Sequence, residues 1–213
     1  MIYKDKFDLY AKLLIEWNSK FNLTAITEPD AIMKKHFKDS VQCADIIPNN
    51  ASVADVGSGA GFPGVPLKIV RPDISITLFD SLNKRISFLK HLCGELQIDA
   101  ECVHIRAEDA GHRPEYREKF DVAVSRAVAK MPVLAEYCLP LVKQGGQMLA
   151  MKSKSITEEL TNTDRLIKTL GGVDVRVSYY IIEGTDIQHS LVQIKKKSPT
   201  PKKYPRKPNQ LGK

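Results

Sequence analysis

The chain has no uninterrupted apolar run near the ~18 residues that a membrane span requires, and its opening Met1-Ile2-Tyr3-Lys4-Asp5-Lys6 leads into no apolar signal segment. Neither membrane insertion nor secretion is expected, and the expected location is the cytoplasm. Cysteine is scarce: Cys43, Cys93, Cys102 and Cys138 are widely separated and lack paired metal-ligand spacing. No metal centre and no disulfide framework is expected from them. No internal repeat is present, which argues against a solenoid. The stretch Lys195 to Lys213 has no acidic residue and carries Lys195, Lys196, Lys197, Lys202, Lys203, Arg206, Lys207 and Lys213. Without it, 24 basic residues face 25 acidic ones, so the formal charge of +7 becomes −1 and the whole excess belongs to this stretch. The 213 residues, 43% of them hydrophobic, suffice for one sizeable α/β core and a small appendage.

Pro199, Pro201, Pro205 and Pro208 keep the basic stretch from forming a regular helix, but an extended strap could lie along phosphates. Lys202, Lys203, Arg206 and Lys207 are then the candidate phosphate contacts, with Tyr204 as a stacking face. The alternative is a solubilising end with no fixed partner.

The most specific segment is Asp55-Val56-Gly57-Ser58-Gly59-Ala60-Gly61-Phe62-Pro63-Gly64, in which the apolar run Ser52 to Val56 feeds three alternating glycines and then a helix start. Glycine reaches backbone angles closed to other residues and leaves no Cβ between main chain and ligand. The spacing D-x-G-x-G-x-G differs from the pyrophosphate fingerprint G-x-G-x-x-G and suits S-adenosylmethionine better than NAD. A second run, Ser75 to Phe79, ends at Asp80, about the ~20-residue offset at which a carboxylate meets a ribose. Asp80 is therefore a candidate hydroxyl acceptor; a cap for the next helix is the other reading.

Tyr10, Leu13, Leu14, Trp17 and Phe21 share one helical face, and Thr27-Glu28-Pro29-Asp30 has the proline and acid of a second helix start, running through Ile32, Met33 and Phe37. Beyond Pro48-Asn49-Asn50, strands are expected at Ser52–Val56, Ser75–Phe79, Glu101–Ile105, Phe120–Ser125, Gln147–Met151, Val173–Ile182 and Ser190–Lys196. Helices are expected at Pro63–Val70, Lys84–Leu96 and Val133–Leu141, and from a capping box at Ser155-Ile156-Thr157-Glu158 to about Leu170. Such alternation predicts a mostly parallel sheet with helices on both faces. The organisation expected is a helical cap over residues 1–50, a catalytic domain over 51–197 and a basic tail over 198–213, forming one compact unit.

Several further segments carry a resemblance: Trp17-Asn18, Asn22-Leu23-Thr24, His36 with Asp39-Ser40, the loop Asp55 to Gly64, Lys84-Arg85 with Phe88-Leu89, Arg106-Ala107-Glu108-Asp109, Ser125-Arg126-Ala127 and Tyr204-Pro205-Arg206-Lys207. Together they resemble the bacterial small-subunit ribosomal RNA methyltransferase G family, also called glucose-inhibited division protein B. The resemblance implies a Rossmann-like class I S-adenosylmethionine-dependent fold with a seven-stranded sheet and an antiparallel edge. It implies methyl transfer to N7 of a guanine in the 530 loop of 16S rRNA, with that RNA or the small-subunit particle as partner and the protein acting as a monomer. It places the cofactor on Asp55, Gly57, Gly59, Gly61, Phe62 and Asp80, with its adenine against Ala107 and Glu108, and Arg126 beside the reacting groups. Whether Arg126 stacks on guanine, holds a phosphate, touches the cofactor or pairs with a core carboxylate is open at this level. His36 and Asp39 read more simply as a structural pair. Pro208 to Lys213 is only loosely like the family tail.

Neutral guanine N7 carries a lone pair and no proton, so no general base is expected, only positioning. Signatures of other methylases are missing: no Asn/Asp-Pro-Pro-aromatic segment follows Phe120 to Ser125, and no cysteine follows proline or threonine. The competing readings are a methyltransferase for another RNA or a small molecule, an NAD-dependent enzyme using the same cradle, and a noncatalytic RNA-binding factor. Fold does not separate these.

Overall fold

The computed structural model describes residues 3–153 and 156–211. Seven strands form one sheet: β1 (Ser52–Val56), β2 (Ser75–Asp80), β3 (Glu101–His104), β4 (Phe120–Arg126), β5 (Val142–Ser153), β6 (Gly172–Ile181) and β7 (Gln188–Lys196), in the order β3-β2-β1-β4-β5-β7-β6. β1 to β5 run parallel, and β7 lies antiparallel between β5 and β6. β1 and β4 are the innermost strands of the parallel half, which explains their nearly continuous apolar sequence: both faces are covered. Their carboxyl ends lie side by side, where the chain order reverses and ligands collect in open α/β sheets.

The N-terminal helix α1 (Lys4–Phe21) buries Tyr10, Leu13 and Leu14 on its expected face. These join Phe37, Val53, Leu67, Leu89 and Leu92 in one core cluster, so the helical cap and this face of the sheet share an interior. Each such aliphatic or aromatic side chain contributes about 1.5–3 kcal/mol on full burial. Tyr10 also donates from its hydroxyl to Ala60 O at 2.6 Å, fastening α1 to the glycine loop. The second expected helix is a short α2 (Pro29–Ile32) that continues as a π-helical stretch, Met33–Lys38, and carries Phe37 into the core. α3 (Gly64–Val70) and α4 (Asn83–Glu95) follow β1 and β2, and α5 (Ala107–Ala110) and α6 (Met131–Cys138) follow β3 and β4.

Two stretches differ from expectation. The single helix expected up to Leu170 is two, α7 (Thr157–Thr161) and α8 (Asp164–Thr169). Between them Thr163 is fully buried and its hydroxyl donates to Glu159 O, a local bond that competes with helix continuation. The expected cap Ser155 lies outside the described residues. β5 begins at Val142 rather than Gln147, with a register irregularity against β4 between Phe120 and Val122.

The basic tail departs furthest. It is packed against the body of the protein rather than extended away from it. Lys196 is buried, its ammonium donating to Leu139 O at 2.6 Å and to Thr200 Oγ1 and lying 3.3 Å from Glu118 Oε1. Arg117 holds the next residues through Thr200 O, Pro201 O and Tyr204 O. Arg206 Nε donates at 2.9 Å to Glu136, a carboxylate with no exposure at all in the apolar helix α6. Tyr204 is buried, so it offers no stacking face, and Arg206 serves an internal ion pair rather than a free phosphate contact. Lys202, Lys203 and Lys207 are the exposed cations left from the five residues expected to meet RNA.

Candidate functional site

The glycine loop is held from β2. Gly57 N and Ser58 N both donate to Phe79 O at 2.9 Å, and Gly59 N donates to Asp80 Oδ2 at 2.9 Å. Asp80 Oδ1 accepts from Leu82 N, the residue before α4, and Arg85 Nη1 lies 3.3 Å from Oδ2. Asp80 thus ties the loop to the residue preceding α4, without itself capping the first turn of the helix, while also lining a cleft of about 420 Å³. Gly57, Arg106, Ala107, Glu108, Val128 and Tyr137 border that cleft as well. Its size falls in the ~300–1,000 Å³ range of small-molecule sites. Glu108 is buried, with a carboxylate oxygen 3.7 Å from Arg106 Nη1.

Two glycines are required for different reasons. Gly57 has φ +74°, and a Cβ there would lie 2.5 Å from Val128 Cγ2 across the cleft wall. Gly61 has φ +98°, and a Cβ there would strike the Tyr10 hydroxyl. The first keeps the cleft open; the second lets the cap pack onto the loop.

Other expected cofactor residues stand behind the loop. Phe62 is buried under the His36 ring, with centroids 4.4 Å apart, and under the Arg126 guanidinium at 4.9 Å. Asp55 is fully buried and accepts from Gly64 N at 3.0 Å through Oδ2. Its Oδ1 has no hydrogen-bond partner among the described residues, and burial pushes its carboxyl up to about 7. A donor from outside, such as a ligand ammonium or a water, would relieve that atom. A carboxyl raised on folding binds a proton more tightly in the native state, so its contribution weakens the fold as pH rises from 3.8 to about 7. Asp55→Asn is expected to flatten that part of the stability profile in urea unfolding measured across this range; an unchanged slope would place the titration elsewhere.

Arg126 is held by the cap. Its Nη1 donates to Asp39 Oδ2 at 2.8 Å and to His36 O at 3.2 Å, and its Nη2 donates to His36 Nδ1 at 3.2 Å. His36 Nε2 therefore carries the ring proton and donates to Thr24 Oγ1 at 2.9 Å. Burial, and then the Arg126 cation, push His36 down to about 4, so it is neutral near pH 7. Asp39 is 1% exposed, and its Oδ1 accepts from the Tyr180 hydroxyl at 2.8 Å and from His189 Nδ1 at 3.0 Å. Of the roles open for Arg126, pairing with a core carboxylate is the one this geometry contains. His36 and Asp39 are not paired with each other; both hold Arg126.

His36, Asp39, Arg126, Lys152 and His189 border a second cavity of about 360 Å³, which shares Ala127 with the first. Lys152 donates to Ala129 O at 2.9 Å and pairs with Glu159, which also accepts from Met131 N, so the loop between the cavities is clamped from α7. Tyr180, His189, Lys152 and Glu159 escaped sequence reasoning. Tyr180, Lys152 and His189 reach the site through strand pairing, Tyr180 and Ser153 both opposite His189, and Glu159 reaches it from α7; no local pattern announces either.

Residues 3–188 match the family model GidB, described as rRNA small subunit methyltransferase G. A protein of Clostridium botulinum (strain Loch Maree / Type A3) named "Ribosomal RNA small subunit methyltransferase G" is 50% identical over 212 residues, covering 98% of this chain and 89% of that one. One of the same name from Alkaliphilus oremlandii is 51% identical over 201 residues, covering 93% and 84%. Among solved structures, M. jannaschii TYW2 in complex with AdoMet aligns with a TM-score of 0.58 at 16% identity, covering 75% of this chain and 74% of that one. The YcgJ protein from Bacillus aligns at 0.60 and 12% identity, covering 76% and 100%. At these identities the structures speak for the fold.

Proposed function

The chain belongs to the rRNA small subunit methyltransferase G family, and from there we propose that it transfers a methyl group from S-adenosylmethionine to N7 of a guanine in the 530 loop of 16S rRNA. The observation that carries this reading is the pair of cavities meeting at Ala127, on the carboxyl edge of β4. One opens over the bare backbone of Gly57 and the carboxylates of Asp80 and Glu108, and the other is bordered by Arg126 and His189. The residues of the first fit the cofactor: a cradle that a Cβ would fill and buried acids for hydroxyl and amino groups, with the orphaned Oδ1 of Asp55 behind the loop. Gly57 and Ala107 offer backbone, and Asp80 and Glu108 keep free lone pairs for donors.

S-adenosylmethionine, when bound, supplies an already activated methyl group. The protein's part is to hold guanine N7 in line with it and to exclude water. Guanine N7 has no proton to lose, so no residue is needed as a base. Arg126, fixed by Asp39 and His36, forms a rigid wall of the base cavity and turns one face away from Phe62.

The partner in this reading is 16S rRNA or the small-subunit particle, met by a monomer in the cytoplasm. Among the described residues no helix is long and apolar enough to cross a membrane. Incubation with labelled S-adenosylmethionine and naked 16S rRNA, small-subunit particles or tRNA, followed by mapping of the label, tests the reading. Label at one guanine N7 of the small-subunit RNA is expected; label on tRNA alone would overturn the substrate.

Lys202, Lys203 and Lys207 supply phosphate contacts from a tail already folded onto α6. Neutralising all three is expected to lower the slope of log affinity against log salt by about two to three units, at ~0.7–0.9 per contact, with cofactor affinity intact. An unchanged slope in a filter-binding titration would move the RNA track elsewhere.

A further inference from the structure

The second cavity contains a histidine whose tautomer is set by its surroundings. Asp39 receives only donors: Arg126 Nη1 on Oδ2, and the Tyr180 hydroxyl and His189 Nδ1 on Oδ1. His189 Nδ1 therefore bears a proton, and in the uncharged imidazole that arrangement leaves the lone pair on Nε2. The His189 side chain is 28% exposed and borders the cavity. With Nδ1 committed to buried Asp39, the Nε2 edge is the one left to an incoming group.

The sheet fixes where that edge lies. β4, β5 and β7 are neighbours in that order, so at ~4.8 Å per strand His189 stands two strands, roughly 10 Å, from the end of β4 where the cavities meet. A guanine whose N7 faces Ala127 has its N1–H and 2-amino group on the opposite side of the ring, towards β7. We infer that His189 is a specificity-determining residue, its Nε2 accepting a hydrogen bond from the N1–H and 2-amino edge of the target guanine. Adenine would present the N1 lone pair to the same nitrogen, two acceptors facing each other, and would be rejected. This inference rests on the reading that a guanine N7 is the methyl acceptor.

Two substitutions separate base reading from mere support of Asp39. His189→Asn keeps a donor where Nδ1 stood and removes the acceptor at Nε2. His189→Gln reaches the Nε2 position with an amide oxygen but gives up the donor to Asp39. Steady-state methylation of small-subunit rRNA by wild type and both variants is the measurement, with S-adenosylhomocysteine titration and melting curves beside it. The expected result is a loss of about 10- to 100-fold in kcat/KM for His189→Asn, with cofactor affinity unchanged and a smaller loss for His189→Gln. The reverse order, His189→Asn active and His189→Gln impaired, would reduce His189 to a prop for Asp39 and overturn the inference. A wild-type protein that binds S-adenosylhomocysteine but leaves guanine RNA unmethylated would overturn the methylation reading itself, and this inference with it.

Discussion

Gly57→Val is expected to abolish binding of S-adenosylmethionine in a chain that still unfolds cooperatively. Two effects act together. The residue sits at φ +74°, where an L side chain costs about 1–2 kcal/mol and a β-branched one resists further. The first side-chain atom would also meet Val128 at 2.5 Å, so the Ala127–Lys130 loop must move or the new side chain must turn into the cleft. Either outcome takes the space a ligand would use. The core lies elsewhere: Val53, Ala54 and Val56 of β1 keep their burial. Calorimetric titration with S-adenosylhomocysteine should give no heat while the melting transition remains sharp. Undiminished affinity in the folded variant would remove Gly57 from the cofactor site. Gly57→Ala, which keeps the strain but is smaller, should weaken binding less.

Asp39→Ala is expected to be among the most destabilising single changes in the chain and to stop methyl transfer. The aspartate is almost wholly buried and satisfies Arg126, Tyr180 and His189 at once, while the Arg126 side chain is 11% exposed. Removing one member of a buried ion pair typically costs about 3–5 kcal/mol, which at ~2–4 °C per kcal/mol lowers the melting temperature by roughly 6–20 °C. Most of that cost is the stranded cation. Adding Arg126→Met to the Asp39→Ala chain should therefore raise the melting temperature again while leaving methyl transfer absent. If instead the two losses simply add, the pair is not coupled in the way its geometry implies.

The parallel half of the sheet was readable because its signals are local. A strand, a glycine turn, a helix, a strand and an acid follow one another around Asp55 to Asp80, and each is set by neighbours along the chain. The proposed cofactor cradle draws on the same local signals, and Gly57, Asp80, Ala107 and Glu108 gather on one cleft. The tail was misjudged because its partners are distant. Read alone, Lys195 to Lys213 is simply an excess of positive charge. The missing clue was Glu136, a lone acid in the apolar helix Met131–Cys138, which must find a cation if it is buried. Arg206 is that cation. Likewise, His36 and Asp39 stood out in the sequence, but their purpose depends on Arg126, Tyr180 and His189, which only the folded sheet edge brings to them.

The position of β7 has a consequence for assembly. β6 precedes it in the chain, yet β7 takes the inner place beside β5, leaving β6 at the rim. During synthesis β6 therefore emerges with no strand to pair with, and the edge of β5 stays open until Gln188–Lys196 is available. The two must arrive as a hairpin, turning through residues 182–187, and dock together. Until then the edge of β5 is a template for any passing strand, so the half-built sheet is the species most exposed to aggregation. Because His189 and Tyr180 travel on that same hairpin, the cavity beside Arg126 is completed in the step that closes the edge.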